Sequence, residues 1–261
     1  MDDQVPKQAG VTAAPPSLPE KQAVRSRWDW LRRLAAARRL LRAETFFLAG
    51  LAGFAVLAVL AKANAYFSWD RSVARAVQSI PLPGMETLMR AVSFLGDGIT
   101  SWVIVIAALL FFFLRGRRSE AFGVLLSAAG GPTLNRLLKY LIARPRPTME
   151  NVRVSGEWAH ESFPSGHVTF YVCFFGFLFF VAFALLPKGS TVRRVACGLA
   201  ALPVLLVGLS RVYLGAHWPS DTLGAYLFAG LWLAFSVEMY RRWKRRATFH
   251  PEEAPPPPAA G

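Results

Sequence analysis

Cysteine is scarce in this sequence, and the two cysteines that are present give little information about function or cellular compartment. The chain has 261 residues, and both Cys173 and Cys197 lie inside apolar stretches, where a small buried thiol is the usual state. They therefore indicate neither a disulfide nor a redox compartment. The sequence also lacks an internal repeat, and no basic block lies in a soluble domain large enough to read DNA. Nucleic-acid binding is therefore not predicted, despite a net charge of +14.

Acidic residues are also few, with 16 Asp and Glu against 30 Lys and Arg, whereas apolar residues make up 54% of the chain. The apolar residues form long blocks separated by short basic ones, which is typical of a polytopic membrane protein. Because a helix needs about 20 apolar residues to cross a bilayer, we predict an all-α membrane protein with a six-helix bundle. The six predicted spans are residues 45–61, 99–114, 121–141, 167–186, 195–212 and 222–240.

The basic residues predict how the chain is oriented in the membrane. Twenty of the thirty Lys and Arg precede the first span, follow the last one, or lie in the turns "RGRR" and "PKGSTVRR". Short loops rich in Lys and Arg face the cytoplasm, so six spans place both termini there. The positive charge then reflects topology and contact with anionic lipids.

The two ends of the chain differ in composition from the membrane domain, predicted at residues 44–246. Residues 1–43 are predicted to be a basic cytoplasmic segment, partly disordered, and residues 247–261 a disordered Pro-rich tail. The stretch "RSRWDWLRRLAAARRLLR" indicates either a helix lying on the inner leaflet or a plain charged topology signal. The first apolar run follows a leader too long for a usual signal peptide, so we expect an uncleaved anchor.

Ionisable residues lie at the ends of the last four predicted spans. With the amino terminus inside, all of these ends face the outer side of the membrane, although segments far apart in sequence supply them. The set contains four cations, two imidazoles and one carboxylate, which is more than interfacial anchoring requires. These residues are Lys139, Arg144, Arg146, His167, Arg211, His217 and Asp221.

This set of side chains suits a phosphate ester. Arg matches phosphate oxygens with its forked donors, and Ser165 and Gly166 add a hydroxyl and an open backbone N–H at a helix N-terminus. One neutral imidazole can attack phosphorus while a second, protonated one donates to the leaving oxygen. Asp221 follows His217 by four residues, so it can accept from one ring nitrogen and leave the other free. His167 has no such partner in sequence, which suits the acid role.

Three blocks of the sequence resemble the signature of the type 2 phosphatidic acid phosphatase (PAP2) superfamily. Its members are integral membrane lipid phosphatases that share a catalytic site with vanadium haloperoxidases. The matching blocks are "KYLIARPRP" at residues 139–147, "PSGH" at 164–167 and "SRVYLGAHWPSD" at 210–221. Residues 63–98 look like the external amphipathic stretch of bacterial members.

The resemblance implies a role for each residue. His217 would be the nucleophile that forms a phosphohistidine, Asp221 its orienting partner, and His167 the general acid that later activates water. No metal or cofactor is needed in that scheme. Arg144 competes with Arg146, but only Arg146 has the family's spacing from Lys139. The phosphoryl oxygens would be held by Lys139, Arg146, Ser165, Gly166 and Arg211.

A site at the outer membrane–water boundary favours a lipid phosphate or diphosphate as substrate. We expect undecaprenyl diphosphate or a related bacterial lipid, such as phosphatidylglycerol phosphate, phosphatidic acid or a lipid A phosphate, with the site facing the periplasm from the bacterial inner membrane. Membrane lipids are the only other expected partners, and the oligomeric state stays open. A phosphotransferase with the same phosphohistidine and a lipid-binding relative without turnover are alternatives. A lipid or anion transporter is another, although its charges typically lie near the bilayer midplane.

Overall fold

The computed structural model describes residues 44–249, and this range contains eight helices and no strand. The chain divides into two units, Met1–Leu48 and Ala49–Gly261, and the described part of the first unit is the opening turn of α1. The predicted basic segment and nearly all of the predicted tail lie outside the described residues. The helices are α1 (Glu44–Ala63), α2 (Ser68–Gln78), α3 (Met85–Phe94), α4 (Gly98–Leu114), α5 (Arg118–Ile142), α6 (Gly166–Leu185), α7 (Thr191–Tyr213) and α8 (Pro219–Phe249).

Four of these helices are long and apolar enough to cross a membrane: α1, α6, α7 and the part of α8 up to Arg246. Within residues 44–249 a fifth span exists if α3 and α4, which meet at a 50° bend, count as one. Helix α5 occupies the third predicted span but is not among these candidates, because polar residues such as Glu120, Asn135 and Arg136 lower its hydropathy. The all-helical membrane class is confirmed, and the count of six spans stays a prediction.

Helix α6 is the centre of the bundle and packs against α5, α7 and α8. Half of its most apolar stretch is buried, against 11% for α1, whose side chains are mostly exposed as they would be toward lipid. Phe177 and Tyr171 on α6 are fully buried. This central position explains why α6 is apolar all round, since a helix surrounded by other helices and lipid has no polar face to show.

Small residues on α5 allow it to approach its neighbours closely. A methyl group at Gly123 would lie 2.1 Å from the ring of Phe177, and one at Gly131 would lie 2.5 Å from the sulfur of Cys173. Membrane helices associate through such small-residue contacts, because lipid removes the hydrophobic drive for association. Helix α5 therefore packs tightly against α6, and this holds its polar residues near the start of that helix.

The short helices α2 and α3 lie against the end of α7. Gln78 at the end of α2 donates to the backbone carbonyls of Arg153, at 2.7 Å, and Tyr213, at 3.0 Å. The backbone N–H of Arg153 donates back to Gln78 Oε1 at 3.0 Å. These bonds join α2 to the loop between α5 and α6 and to the end of α7. The predicted amphipathic stretch thus consists of two helices beside the ends where the polar residues gather.

Candidate active site

A cavity of about 500 Å³ lies where the ends of α5, α6 and α7 meet, and we call it the central cavity. Its volume is in the range of small-molecule sites in proteins. Of the eight site residues predicted from the sequence, Ser165 and Asp221 are fully buried instead of lining it. The six that line it are Lys139, Arg146, Gly166, His167, Arg211 and His217.

The turn after α7 places Arg211 and His217 on the same cavity. The backbone N–H of Ala216 donates to Arg211 O at 3.0 Å and that of Gly215 to Val212 O at 3.1 Å, which is the Schellman pattern that ends many helices. Gly215 has a φ of +68°, and a methyl group there would lie 2.1 Å from Arg153 O, so only glycine fits. The six-residue spacing between Arg211 and His217 is therefore the length of a helix-terminating turn.

Asp221 lies in the first turn of α8, beyond Pro219, which is a favoured first residue of a helix. Its Oδ2 accepts from Trp218 N at 2.8 Å and lies 3.6 Å from His217 Nδ1, too far for a direct hydrogen bond. Ser162 lies beside both groups, donating to Asp221 Oδ2 while its Oγ is 3.5 Å from His217 Nδ1. The direct hydrogen bond from the imidazole to Asp221 expected from the sequence is not made in this structure, where Ser162 of the preceding loop contacts both side chains.

Arg144 faces away from the central cavity and is fully buried behind Asp221. Its Nη1 pairs with Asp221 Oδ1 at 2.6 Å, and its Nη2 pairs with Asp70 Oδ2 at 3.0 Å. Asp70, on α2, also accepts from Ser220 N at 2.8 Å and from Ser220 Oγ at 2.7 Å. Arg144 therefore neutralises two buried carboxylates, and of the two competing arginines Arg146 is the one that lines the cavity.

His167 has a carboxylate partner that the sequence analysis missed. Its Nε2 lies 2.8 Å from Asp97 Oδ1, in the turn between α3 and α4. Gly96 makes this approach possible, because a methyl group there would lie 2.7 Å from the His167 ring. No partner for His167 could be identified from sequence spacing, because Asp97 is 70 residues away and no spacing rule connects the two. Each histidine of the cavity thus has an aspartate near one of its ring nitrogens.

Three of the four cations that line the cavity are held by protein groups. Lys139 donates to the carbonyls of Glu161 and Ser162. Arg146 donates to Ala216 O at 2.6 Å, and its Nη1 lies 3.5 Å from His217 Nε2. Arg211 donates to Ser93 Oγ at 3.0 Å. Because these contacts fix the cationic groups before a ligand binds, the cavity is pre-organised for an anion.

Three buried donors near the cavity have no hydrogen-bond partner among the described residues. They are Ser165 Oγ, Arg211 Nε and Trp158 Nε1. Trp158 lines the cavity, and its ring lies 4.4 Å from the Arg211 guanidinium. Ser165 is the N-cap residue of α6, yet its hydroxyl makes no capping bond. A buried polar group without a hydrogen-bond partner destabilises the fold. A ligand rich in acceptor oxygens would supply such partners to these donors.

Burial lowers the pKa of the His217 imidazole well below its ordinary value, and the nearby cations Arg146, Lys139 and Arg211 lower it further. The ring is therefore neutral at physiological pH. Its Nδ1 faces Ser162, so the surroundings assign the proton to Nδ1 and the lone pair to Nε2 on the Arg146 side. Burial also lowers the pKa of Arg146, although Asp221 and Glu161 oppose the shift.

Comparison with known proteins agrees with this geometry. Residues 120–245 match the family model of the PAP2 superfamily. Phosphatidylglycerophosphatase B of Bacillus subtilis is 31% identical over 71% of this chain and 89% of its own length. Lipid A 1-phosphatase of Rhizobium etli is 34% identical over 56% of this chain and 68% of its own length.

A solved structure shows the same fold. The crystal structure of the transmembrane PAP2-type phosphatidylglycerolphosphate phosphatase from Bacillus subtilis is similar to this chain with a TM-score of 0.66 at 27% identity. The similarity covers 76% of this chain and 98% of that one. The helices and the charged cavity define an integral membrane phosphatase. The chain belongs to the PAP2 superfamily.

Proposed function

We propose that the protein is a metal-independent lipid phosphatase that works through a phosphohistidine on His217. The observation that carries this proposal is the presence of His217 and His167 on one cavity, together with three cations held in place by protein contacts. Fixed cations supply the charge stabilisation that a metal supplies elsewhere in phosphoryl transfer. We therefore assign the phosphoryl oxygens to Lys139, Arg146 and Arg211, with Ser165 and the backbone N–H of Gly166.

In the first step His217 Nε2 attacks phosphorus and forms an N–P bond. The bond from phosphorus to the leaving oxygen breaks, its electron pair stays on that oxygen, and His167 gives the oxygen a proton. The carboxylate of Asp97, 2.8 Å from His167 Nε2, stabilises the protonated ring before it donates. Ser162 and Asp221 hold the Nδ1–H side of His217 and stabilise the positive charge that develops on it.

In the second step the neutral His167 takes a proton from water, and the water oxygen attacks the phosphohistidine. The N–P bond breaks, its electron pair returns to His217 Nε2, and inorganic phosphate leaves. One water is consumed for each phosphate released, and both histidines regain their initial protonation states. Within one cycle His167 thus acts first as acid and then as base, while His217 is the nucleophile and then the leaving group.

The substrate we propose is a phosphate or diphosphate monoester of a membrane lipid. Undecaprenyl diphosphate is one candidate, and phosphatidylglycerol phosphate, phosphatidic acid and lipid A phosphates are others. The names of the relatives, a phosphatidylglycerophosphatase and a lipid A 1-phosphatase, favour a charged lipid headgroup. A second cavity lies beside the central cavity, and its lining includes the apolar side chains of Trp102, Val105 and Phe170. This cavity supports a substrate with a hydrocarbon chain.

The proposed topology has six spans, formed by α1 and α4 to α8, with both termini in the cytoplasm and the central cavity at the outer surface of a bacterial inner membrane. The basic turns before α5 and before α7 support this orientation. The polar residues of α5 oppose its insertion as an isolated helix. Its packing against α4, α6 and α8 supports a place among other helices instead of against lipid.

The experiment is phosphate release from several lipid phosphates by the protein purified in detergent, with EDTA present throughout. We expect hydrolysis that vanadate blocks and that disappears in His217→Ala and in His167→Ala. A Cys197→Ser variant, altered on α7 away from the cavity, serves as the matched control. Strict dependence on an added divalent cation, or activity retained by His217→Ala, contradicts the proposal.

A further inference from the structure

A fourth cation lines the central cavity, and neither the PAP2 signature nor the proposed chemistry assigns it a task. It is Arg136, one turn before Lys139 on α5. Arg136 lines the central cavity and also a second cavity of about 260 Å³ between α4, α5 and α6, which we call the side cavity. Gly166 is the other residue that borders both. Arg136 therefore lies where a substrate would pass from the phosphate site toward apolar surroundings.

Arg136 differs from the other cations in its contacts. Lys139, Arg146 and Arg211 each donate to protein oxygens, as described above. The Arg136 side chain is exposed, and no hydrogen bond or ion pair links it to another described residue. An arginine held by no protein group keeps all five of its donors available to a ligand.

The charges that line the central cavity indicate a role for Arg136. The four lining cations carry four positive charges, and the carboxylates of Asp97 and Glu161 offset two of them. Without Arg136 the remaining positive charge is smaller than the two negative charges of one phosphoryl group, and a second phosphate adds further negative charge. Arg136 is the lining cation whose donors are not already bonded to protein oxygens, and its planar fork suits phosphate oxygens.

Interfacial anchoring is the simpler explanation of an exposed arginine on a membrane helix. Arg136 lies six residues before the end of α5, which corresponds to about 9 Å along the helix axis, so its side chain can extend toward lipid headgroups. Anchoring makes no distinction between substrates, because the anchor acts on the protein whatever lipid occupies the cavity. Substrate discrimination therefore separates the two roles.

We propose that Arg136 binds a second phosphate carried by the leaving group of the substrate, and so makes the site selective for lipids with two phosphates. This inference rests on the proposed phosphatase function and names its substrate class. The second phosphate is attached directly to the first in a prenyl diphosphate, or through a glycerol in phosphatidylglycerol phosphate. Both present the same chemistry to a guanidinium.

The test compares kcat/KM for two matched pairs of substrates, farnesyl diphosphate with farnesyl phosphate, and phosphatidylglycerol phosphate with phosphatidic acid of the same acyl chains. Because a charge-assisted hydrogen bond is worth about one to two powers of ten, we expect Arg136→Gln to lower kcat/KM by about 10- to 100-fold for a two-phosphate substrate. We expect a loss of at most about 3-fold for its one-phosphate partner, and partial recovery in Arg136→Lys. Arg118→Gln, the same change at the opposite end of α5, is the control.

Selective loss in one pair or in both supports the proposal and identifies how the second phosphate is attached. Equal losses for both members of each pair, or no loss for either two-phosphate lipid, overturn it. Binding to His217→Ala separates this result from failure of the phosphatase proposal. In that background, adding Arg136→Gln is expected to raise Kd for farnesyl diphosphate by 10-fold or more and to leave farnesyl phosphate within about 3-fold.

Discussion

Replacing Arg144 tests how far the buried ion network supports the site. Arg144 pairs with Asp221 at 2.6 Å and with Asp70 at 3.0 Å, and the side chains of all three are fully buried. Arg144→Met leaves both carboxylates buried without a counter-charge, and breaking a buried pair in this way costs about 3–5 kcal/mol. For a protein of this size, 1 kcal/mol corresponds to roughly 2–4 °C in the melting temperature, so we expect a decrease of about 6–20 °C.

The matched control is Arg242→Met on α8. Arg242 pairs with Glu238 at 2.8 Å, a similar distance, but the two side chains are 59% and 42% exposed. Exposed pairs four residues apart on a helix contribute about 0.3–0.5 kcal/mol, so this variant should melt within about 2 °C of the wild type. The assay is thermal unfolding in detergent, with phosphate release measured below the transition.

If Arg144→Met does not fold, Asp70→Asn provides a milder form of the same test. It keeps an oxygen for Ser220 to donate to while removing one charge of the network. We expect an intermediate decrease in melting temperature and reduced turnover, because Ser220 and Arg144 both adjoin Asp221. Melting of Arg144→Met or Asp70→Asn no lower than that of Arg242→Met would refute the reasoning.

Three further results are expected. Asp97→Asn removes the carboxylate beside His167 Nε2, so kcat should fall about 10- to 100-fold for substrates that need a protonated leaving group, and much less for an aryl phosphate; equal losses would contradict this. Gly215→Ala places a methyl group 2.1 Å from Arg153 O, so both melting temperature and turnover should fall, and wild-type turnover would show that the turn is not constrained. Below about pH 6.5 the unfolded chain protonates His217 while the folded chain does not, so the free energy of unfolding should decrease as the pH is lowered, and more steeply than in His217→Gln. Parallel pH profiles of the two proteins would contradict the lowered pKa.

The helices of the bundle follow from the apolar pattern of the sequence. The fourth predicted span, residues 167–186, differs from α6 by one residue at each end, because a long apolar run and a serine at its start define that helix well. Helix α5 is harder to assign as a span. Its glycines and polar residues lower its hydropathy, although they are the residues that contact α6 and the cavity.

Some contacts of the site could likewise be predicted from the sequence, and others could not. Residues grouped by short spacing, such as Arg211 with His217, can be paired from sequence because a single helix-ending turn joins them. The partnerships of Asp97 with His167 and of Asp70 with Arg144 join segments at least 70 residues apart. Such contacts depend on how α2 and α3 pack against the bundle, and no local pattern encodes that packing. Ser162 was missed for a related reason, since its position beside His217 and Asp221 depends on the path of a loop.

The central claim is that His217 carries the phosphoryl group during turnover. The most direct measurement is rapid acid-free quenching of His167→Ala with a ³²P-labelled aryl phosphate, whose leaving group needs no proton from His167. The account predicts a label that approaches one per chain, is stable to base and labile to acid, maps to His217, and is absent from the His167→Ala/His217→Ala double variant. A label on a different residue, or full turnover by the double variant, would contradict it.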